Sequence, residues 1–263
     1  MYVNDRPVEL GHSRQRVLLA ALLVDAGRPV PVDQLIDRVW SDRPPQRVRS
    51  VVYTYLSRLR AALRTSDALA IERRPGGYRF SAKPELIDIY RFRRLVRSAR
   101  AARPTQAVRA YEQAFGLWGG TALPGLNTAW LDTVRDCLHH ELLVAQLDYF
   151  EVALRLGRAG KLLPDLLSLT AEHPLDERLA GHLMLALHCS GRQADALQRY
   201  RATRHLLATE LGVSPSAELD EVHRRILTGE PPPSPPLAWG DGAGRWSERR
   251  RWQIRTSGRR RRP

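Results

Sequence analysis

The chain of 263 residues is long enough for two domains, and its hydrophobic fraction of 43% is sufficient for apolar cores. Its two cysteines, Cys137 and Cys189, form no disulfide framework. The N-terminus lacks a charged-then-apolar signal segment, and the longest apolar run, Val17 to Val24, is far too short to span a bilayer. Composition therefore excludes a membrane protein and a disulfide-rich secreted domain, and we expect a soluble protein of the reducing cytoplasm without a membrane partner.

The formal net charge of +14 is concentrated at the two ends of the chain. Residues 1–87 carry 15 basic and 9 acidic residues, residues 88–230 carry 18 and 17, and residues 231–263 carry 9 and 2. A basic end segment beside a neutral body indicates that one module binds nucleic acid and the other binds protein.

The first 45 residues predict short elements that lead into a longer helix. Residues 1–3 and 7–10 are expected as short strands around a turn, followed by a helix over residues 14–27 that stops at Gly27. Residues 28–31 are expected as a short extended link, and a second helix follows over residues 33–40. Pro44 and Pro45 then break the chain.

Residues 46–64 predict an amphipathic helix without any carboxylate. Apolar residues at steps of three and four share one face: Val48, Val52, Leu56, Leu59 and Leu63. The opposite face carries Ser50, Tyr53, Thr54, Ser57, Arg60 and Arg64, and phosphate contacts are expected from Arg47, Arg49 and Arg58. Such donors suit phosphate oxygens and base edges in a DNA major groove. The alternative is a surface helix that is merely basic.

A hairpin is predicted next, with strands over residues 71–73 and 78–81 around a Pro-Gly-Gly turn. The order helix, helix, long helix, hairpin is that of a winged helix-turn-helix, in which the third helix reads the major groove and the hairpin lies beside it. Arg73, Arg74 and Arg79 would place guanidinium groups in a minor groove or on phosphate. The alternative, which is simpler when the hairpin is considered alone, is that these arginines are solvated at an exposed hairpin tip.

Residues 88–230 show helical patterns and no strand alternation. Helices are predicted over residues 90–102, 105–117, 130–156, 159–172, 176–190, 193–211 and 215–227, with a loop rich in Gly, Pro and Thr over residues 118–128. The pair Gly157-Arg158 recurs as Gly191-Arg192, a spacing of 34 residues, which is the period of tetratricopeptide-like hairpins. An ordinary antiparallel helical bundle with similar loop lengths is the alternative.

Residues 231–263 are rich in proline, glycine and arginine, a composition that cannot build a core, and we predict that they are disordered. Their arginine runs, residues 249–251 and 259–262, would add non-specific DNA affinity through counterion release. A solvated tail without a role and a frameshifted end are the alternatives.

No motif in the sequence indicates catalysis, a cofactor or a metal. The segment from Gly157 to Leu162, GRAGKL, lacks the spacing of a phosphate-binding loop and has leucine at the position of the magnesium ligand. His139-His140-Glu141 does not have the spacing of a zinc motif. No βα alternation predicts a phospho-receiver domain. We therefore expect neither an enzyme nor a cofactor.

Several collinear segments resemble the Streptomyces antibiotic regulatory protein family. They are RPVELG, RQRVLLAALLVDAGRPVPVDQLIDRVW, VVYTYLSRLRAAL and RRPGGYRF in the first half, and AEHPLDERLAGHLMLALHCSGRQADALQRYRATRHLLATELGVSPSAEL in the second. Together they span most of residues 6–228. Two features depart from the family pattern. The roughly ten residues before the first helix supply fewer strands than usual, which implies a start upstream or a shortened N-terminal sheet. The large members also continue into an ATPase domain, whereas this chain continues into the proline- and arginine-rich segment.

The resemblance implies an OmpR-type winged-helix DNA-binding domain over residues 1–87 and a bacterial transcriptional activation domain over residues 88–230. In the family, protomers bind head to tail on direct repeats near the promoter −35 region, which implies a side-by-side dimer on double-stranded DNA. They recruit RNA polymerase holoenzyme through its sigma factor and other subunits. We expect a mainly α protein that activates transcription of a secondary-metabolite gene cluster, with Arg60 contacting guanine. The alternative function is a helical-repeat scaffold with only non-specific DNA affinity.

Overall fold

The computed structural model describes residues 2–3, 6–7, 10–64 and 68–230, so the predicted disorder of residues 231–263 lies outside the described residues. The chain divides into two compact units, Met1–Val152 and Ala153–Pro263. Both are mainly helical, which confirms the predicted fold class.

The N-terminal unit begins with two paired short strands, β1 (Tyr2–Val3) and β2 (Arg6–Pro7), which overlap the predicted strands over residues 1–3 and 7–10. The winged-helix elements follow in the expected order: α1 (Ser13–Val24), β3 (Pro29–Val30), α2 (Val32–Trp40), α3 (Val48–Leu63), β4 (Leu69–Arg74) and β5 (Gly77–Ala82). A short 3-10 helix, Pro84–Leu86, leads to α4 (Asp88–Ala101), α5 (Pro104–Phe115) and the 27-residue α6 (Ala129–Arg155). Residues 129–152 of α6 belong to this unit.

The segment predicted as an extended link contributes a strand to the sheet. Strand β3 pairs with β5, with Val30 opposite Tyr78, and β5 also pairs with β4, so that β5 is the central strand. Gly77 allows this close approach, because a Cβ atom added there would lie 2.0 Å from the Val30 carbonyl oxygen, and its φ is +146°. The sheet therefore fixes the hairpin against the link between α1 and α2.

The hydrophobic core beneath the sheet includes residues that lie far along the chain. Leu18, Leu35 and Leu56 from the three helices share this core with Phe80 of β5. The same cluster contains five buried residues that follow α5: Leu126, Trp130, Leu131, Val134 and Leu138. The loop over residues 118–128 and the first half of α6 thus complete the winged-helix core.

Arg38 of α2 is buried at this junction. Its Nη1 donates to the Ala21 carbonyl at 2.9 Å, and its Nη2 lies 2.6 Å from an Asp25 carboxylate oxygen. The guanidinium carbon lies 4.7 Å from the Trp130 ring centroid. A buried cation needs such compensation, so Arg38 joins α1 and α2 to the start of α6.

Helices α4, α5 and α6 form a second core within this unit, around Phe92 and Tyr111. Burial of the Tyr111 hydroxyl raises its pKa to about 12. Two ion pairs connect α4 to α6 at the edge of this core: Arg93 with Glu141 at 2.7 Å, and Arg100 with Asp148 at 2.8 Å.

The C-terminal unit is built from two helical hairpins, α7 (Ala159–Glu172) with α8 (Glu177–Cys189), and α9 (Gln193–Glu210) with α10 (Ala217–Thr228). Gly157 and Gly191 precede α7 and α9 with nearly equal φ angles, +71° and +76°. Each second helix is capped by a side chain that accepts a bond from the backbone N–H three residues later, Asp176 for α8 and Ser216 for α10. The tetratricopeptide-like repeat is therefore confirmed.

Candidate nucleic-acid interface

Helix α3 separates its apolar and polar residues as predicted. Val52, Leu56, Leu59 and Leu63 are buried in the core. The other face exposes most of the residues predicted for DNA contact: Ser50, Tyr53, Thr54, Ser57, Arg58 and Arg64. The Thr54 hydroxyl donates to the Ser50 carbonyl at 2.9 Å, so towards a ligand it is available as an acceptor. The exposed face of α3 has no acidic residue.

At its N-terminus, α3 carries two exposed arginines with different surroundings. Arg47 is the cap residue and has no carboxylate partner among the described residues. Arg49 pairs with Asp33 of α2 at 2.6 Å, but the side chains are 60% and 73% exposed. Since such exposed pairs contribute at most about 1 kcal/mol, Arg49 can exchange Asp33 for a phosphate at little cost.

Arg60 connects α3 to the hairpin. Its Nε donates to the Ile71 carbonyl at 2.8 Å, and its guanidinium lies 5.2 Å from the Tyr78 ring centroid. The Tyr78 ring lies in turn 6.4 Å from that of Tyr53 on α3. Because Nε is engaged, a bidentate contact of Arg60 with guanine has to use Nη1 and Nη2. Arg60 therefore also positions the hairpin beside the helix.

Two of the three hairpin arginines share one carboxylate. Glu72 accepts from Arg74 at 2.7 Å and from Arg79 at 2.6 Å. The bond from Arg79, followed by the bond from Arg74, lowers the pKa of the Glu72 carboxyl below its ordinary value. Arg73 is exposed and has no carboxylate partner within the described part of the chain.

The acidic partners Glu72 and Asp33 were not predicted from the sequence. For Glu72 a clue existed: a two-residue Pro75-Gly76 turn sets Arg74 opposite Gly77 and therefore Glu72 opposite Arg79. For Asp33 no comparable clue exists, because its pairing with Arg49 depends on how α2 crosses α3.

The residues considered for catalysis or metal binding do not form a site in the described residues. Leu162 of the GRAGKL segment is buried in the hairpin core, and both His139 and His140 are exposed on α6. The described residues contain no group of three or more His, Cys, Asp or Glu side chains arranged to hold a metal. Cys137 and Cys189 are free thiols, and burial raises the pKa of each. No described helix is both long and apolar enough to cross a bilayer.

Comparison with known families matches both halves of the chain. Residues 5–80 match the family described as "Transcriptional regulatory protein, C terminal", and residues 87–227 match "Bacterial transcriptional activator domain". These matches and the fold define the class: a winged-helix transcriptional regulator with an activator domain. Individual relatives identify the family within this class.

The chain is 33% identical to the regulatory protein DnrI of Streptomyces peucetius over 232 residues, 83% of this chain and 85% of DnrI. It is 38% identical to the regulatory protein AfsR of Streptomyces griseus over 84% of this chain, but it spans only 23% of that longer relative. This protein therefore belongs to the Streptomyces antibiotic regulatory protein family of transcriptional activators.

A solved structure agrees with this assignment. EmbR of Mycobacterium tuberculosis, determined in complex with a low-affinity phosphopeptide, has a TM-score of 0.82 and 34% sequence identity to this chain. The similarity covers 89% of this chain and 64% of the EmbR chain. The shared fold thus extends across both family matches.

Proposed function

We propose that this protein is a sequence-specific DNA-binding activator of a secondary-metabolite gene cluster. It binds direct repeats near the promoter −35 region and recruits RNA polymerase holoenzyme, including its sigma factor. The observation that carries the proposal is the acid-free, solvent-exposed face of α3 beside an arginine-bearing hairpin. Membership of an activator family supports it, as does the description of its relatives as regulatory proteins.

The DNA-binding residues act in three groups. Arg47, Arg49, Arg58 and Arg64 neutralise phosphates on both sides of the groove. Ser50, Tyr53, Thr54, Ser57 and Arg60 face the base edges. The hairpin residues Arg73, Arg74 and Arg79 contact the neighbouring minor groove or phosphates.

The second half of the chain, residues 88–230, supplies the activation surface. Residues 1–87 bind DNA, and residues 88–230 contact the polymerase, with protomers lying side by side on the DNA. Stacked helical hairpins form grooved surfaces that bind protein segments, which suits this role. The protein acts in the cytoplasm, on the chromosome.

Footprinting of the full chain on the promoters that flank its own gene tests this function. We expect protection of direct repeats spaced by about one helical turn, roughly 10–11 bp. Ser57→Ala should change the preferred sequence, whereas Arg47→Ala should weaken binding to specific and random DNA alike. Arg97→Ala, which removes an exposed arginine of α4 outside the interface, is the matched control. Diffuse protection without repeats would instead favour a scaffold with non-specific DNA affinity.

A further inference from the structure

The N-terminal unit contains a cleft whose lining residues include none from α3. It is formed by the start of α1, the end of α2 and the loop that precedes α6, and its volume is about 470 Å³. This volume lies within the range of small-molecule sites, roughly 300–1,000 Å³. Polar and small side chains predominate in its lining, together with Trp40, Val17 and Val39.

Two arginines give the cleft a positive charge. Arg14 and Arg43 are exposed, and neither forms an ion pair with a carboxylate of the described residues. None of the lining residues is acidic. Of the nearest acidic residues along the chain, Asp132 is engaged by Arg135 at 2.6 Å, and Asp42 does not line the cleft. The guanidinium of Arg14 lies 6.0 Å from the Trp40 ring centroid. An anion in the cleft would meet two guanidinium groups that lack a carboxylate partner among the described residues.

Hydrogen-bond donors surround this charge. The α1 terminus has no side-chain cap and no acid in its first turn, so its first N–H groups and its dipole favour an anion. Ser13, Ser41, Asn127 and Thr128 add hydroxyl and amide groups. In addition, Trp40 is only 6% exposed, and its indole N–H has no hydrogen-bond partner within the described chain.

The wall formed by the loop is held in place by Arg135 of α6. Its Nε donates to the Ala122 carbonyl and its Nη2 to the Leu123 carbonyl, each at 3.0 Å, and Nη2 also donates to the Leu126 carbonyl. The loop is therefore fixed before any ligand binds, which lowers the entropic cost of binding.

We propose that this cleft binds a small multivalent oxyanion, a metabolite with phosphate or carboxylate groups, at a site separate from the DNA interface. The ligand bridges α1 and α2 of the winged helix to the loop that leads into α6. It therefore stabilises the core that these elements share. The proposal does not depend on the proposed function, since it concerns ligand binding by the free protein.

Titration calorimetry and thermal unfolding of the full chain test the proposal, with pyrophosphate and citrate as probes and sodium chloride at matched ionic strength as the blank. We expect saturable binding of at least one probe and a rise in the unfolding temperature of the N-terminal unit. The probe that binds more tightly distinguishes a phosphate-bearing from a carboxylate-bearing ligand.

Variants separate the cleft from general attraction to a basic protein. The double variant Arg14→Gln/Arg43→Gln should weaken binding at least about tenfold, because two charge-assisted hydrogen bonds are lost. Its own fold should be unaffected, since both arginines are exposed and form no ion pair. Arg58→Gln/Arg64→Gln on α3 removes the same charge elsewhere and should bind the probe like the wild type.

Three results would overturn the proposal: absence of saturable binding, equal weakening in both double variants, or displacement of the probe by duplex DNA. Equal weakening would indicate general attraction to a basic protein, and displacement by DNA would place the anions on the proposed DNA interface. DNA affinity of the Arg14→Gln/Arg43→Gln variant, measured in parallel, keeps a failure of the cleft distinct from a failure of DNA binding.

Discussion

The two compact units bury similar side chains but connect them differently along the chain. In the N-terminal unit, Val17 of α1 shares a core with Leu138 of α6, so helices from opposite ends of the unit stabilise each other. In the C-terminal unit, α8 packs against α7, α9 and α10, all of which are close to it in the sequence. Every residue of α8 from Leu179 to Leu187 is buried. The stability of the exposed α3 face, which we propose binds DNA, therefore depends on residues distant in sequence, whereas the helical repeats depend on neighbouring helices.

We expect the greatest loss of stability when one buried leucine in each unit is replaced by alanine. Leu131 and Leu183 are both buried, at 0% and 1% exposure. Substituting either by alanine should cost about 2–5 kcal/mol of unfolding free energy. Leu131→Ala should lower the hydrogen-exchange protection of α3 and the DNA affinity, although Leu131 lies outside the winged helix. Leu183→Ala should affect the amides of α8 and leave those of α3 protected.

If Leu131→Ala instead left α3 fully protected, the winged helix would be stable without α6, and the contrast between the units would fail. In that case residues 1–87 alone should bind DNA with full affinity, which a truncated protein would show directly.

Gly77→Ala should destabilise the sheet of the N-terminal unit. The new Cβ would clash with the Val30 carbonyl oxygen at 2.0 Å, and the positive φ is unfavourable for alanine. We expect a loss of about 2 kcal/mol or more, because strain at a special backbone position adds to the clash. Gly76→Ala is the control: its φ of +88° is also strained, but no atom lies within 4 Å. Chemical denaturation should therefore find Gly77→Ala clearly less stable than Gly76→Ala.

The C-terminal unit should lose stability at acidic pH through His182. Complete burial, assisted by the charge of Arg178, lowers the pKa of His182 to about 3. In the unfolded chain the imidazole binds a proton as the pH falls through 6.5, whereas in the folded chain it stays neutral down to about pH 3. The free energy of unfolding is therefore unaffected by this group above pH 6.5 and decreases as the pH falls from 6.5 towards 3. At pH 5 the loss should be about 2 kcal/mol relative to pH 7. Denaturation of His182→Gln over the same range should lack this component, and an unchanged pH dependence would contradict the assignment.

The smallest effect is expected from Asp33→Asn. Removing an exposed partner of Arg49 should change stability by less than about 1 kcal/mol. DNA affinity should rise a few-fold, because a negative charge beside α3 disappears and Arg49 is released. Asp37→Asn, an exposed acid on the same helix, controls for the general charge change. Equal increases in both variants would mean that Arg49 is not a specific phosphate contact.

Much of the fold was predictable because each helix carries its own periodicity. The three- and four-residue spacing that ends at Leu63 predicted which face of α3 is buried, and the recurrence of Gly157-Arg158 predicted the two hairpins. Each of these patterns lies within one element or one repeat.

The features that were missed depend on contacts between distant segments. Pro29 and Val30 form a strand only because β5 lies beside them. Trp130 and Leu131 join the winged-helix core through packing that periodicity cannot indicate. Likewise, the position of Arg60 on its helix predicted a face towards DNA, but its bond to Ile71 depends on the placement of the hairpin.

The carboxylate of Glu72 has a consequence for the entropy of DNA binding. A long arginine side chain loses up to about 2 kcal/mol of conformational freedom when it is immobilised. Because Glu72 already holds Arg74 and Arg79, much of this ordering is complete in the free protein. In the proposed complex with DNA, a phosphate that replaced Glu72 would meet two guanidinium groups in a defined arrangement. The Glu72 carboxylate therefore preorganises the side chains of Arg74 and Arg79 for binding another anion.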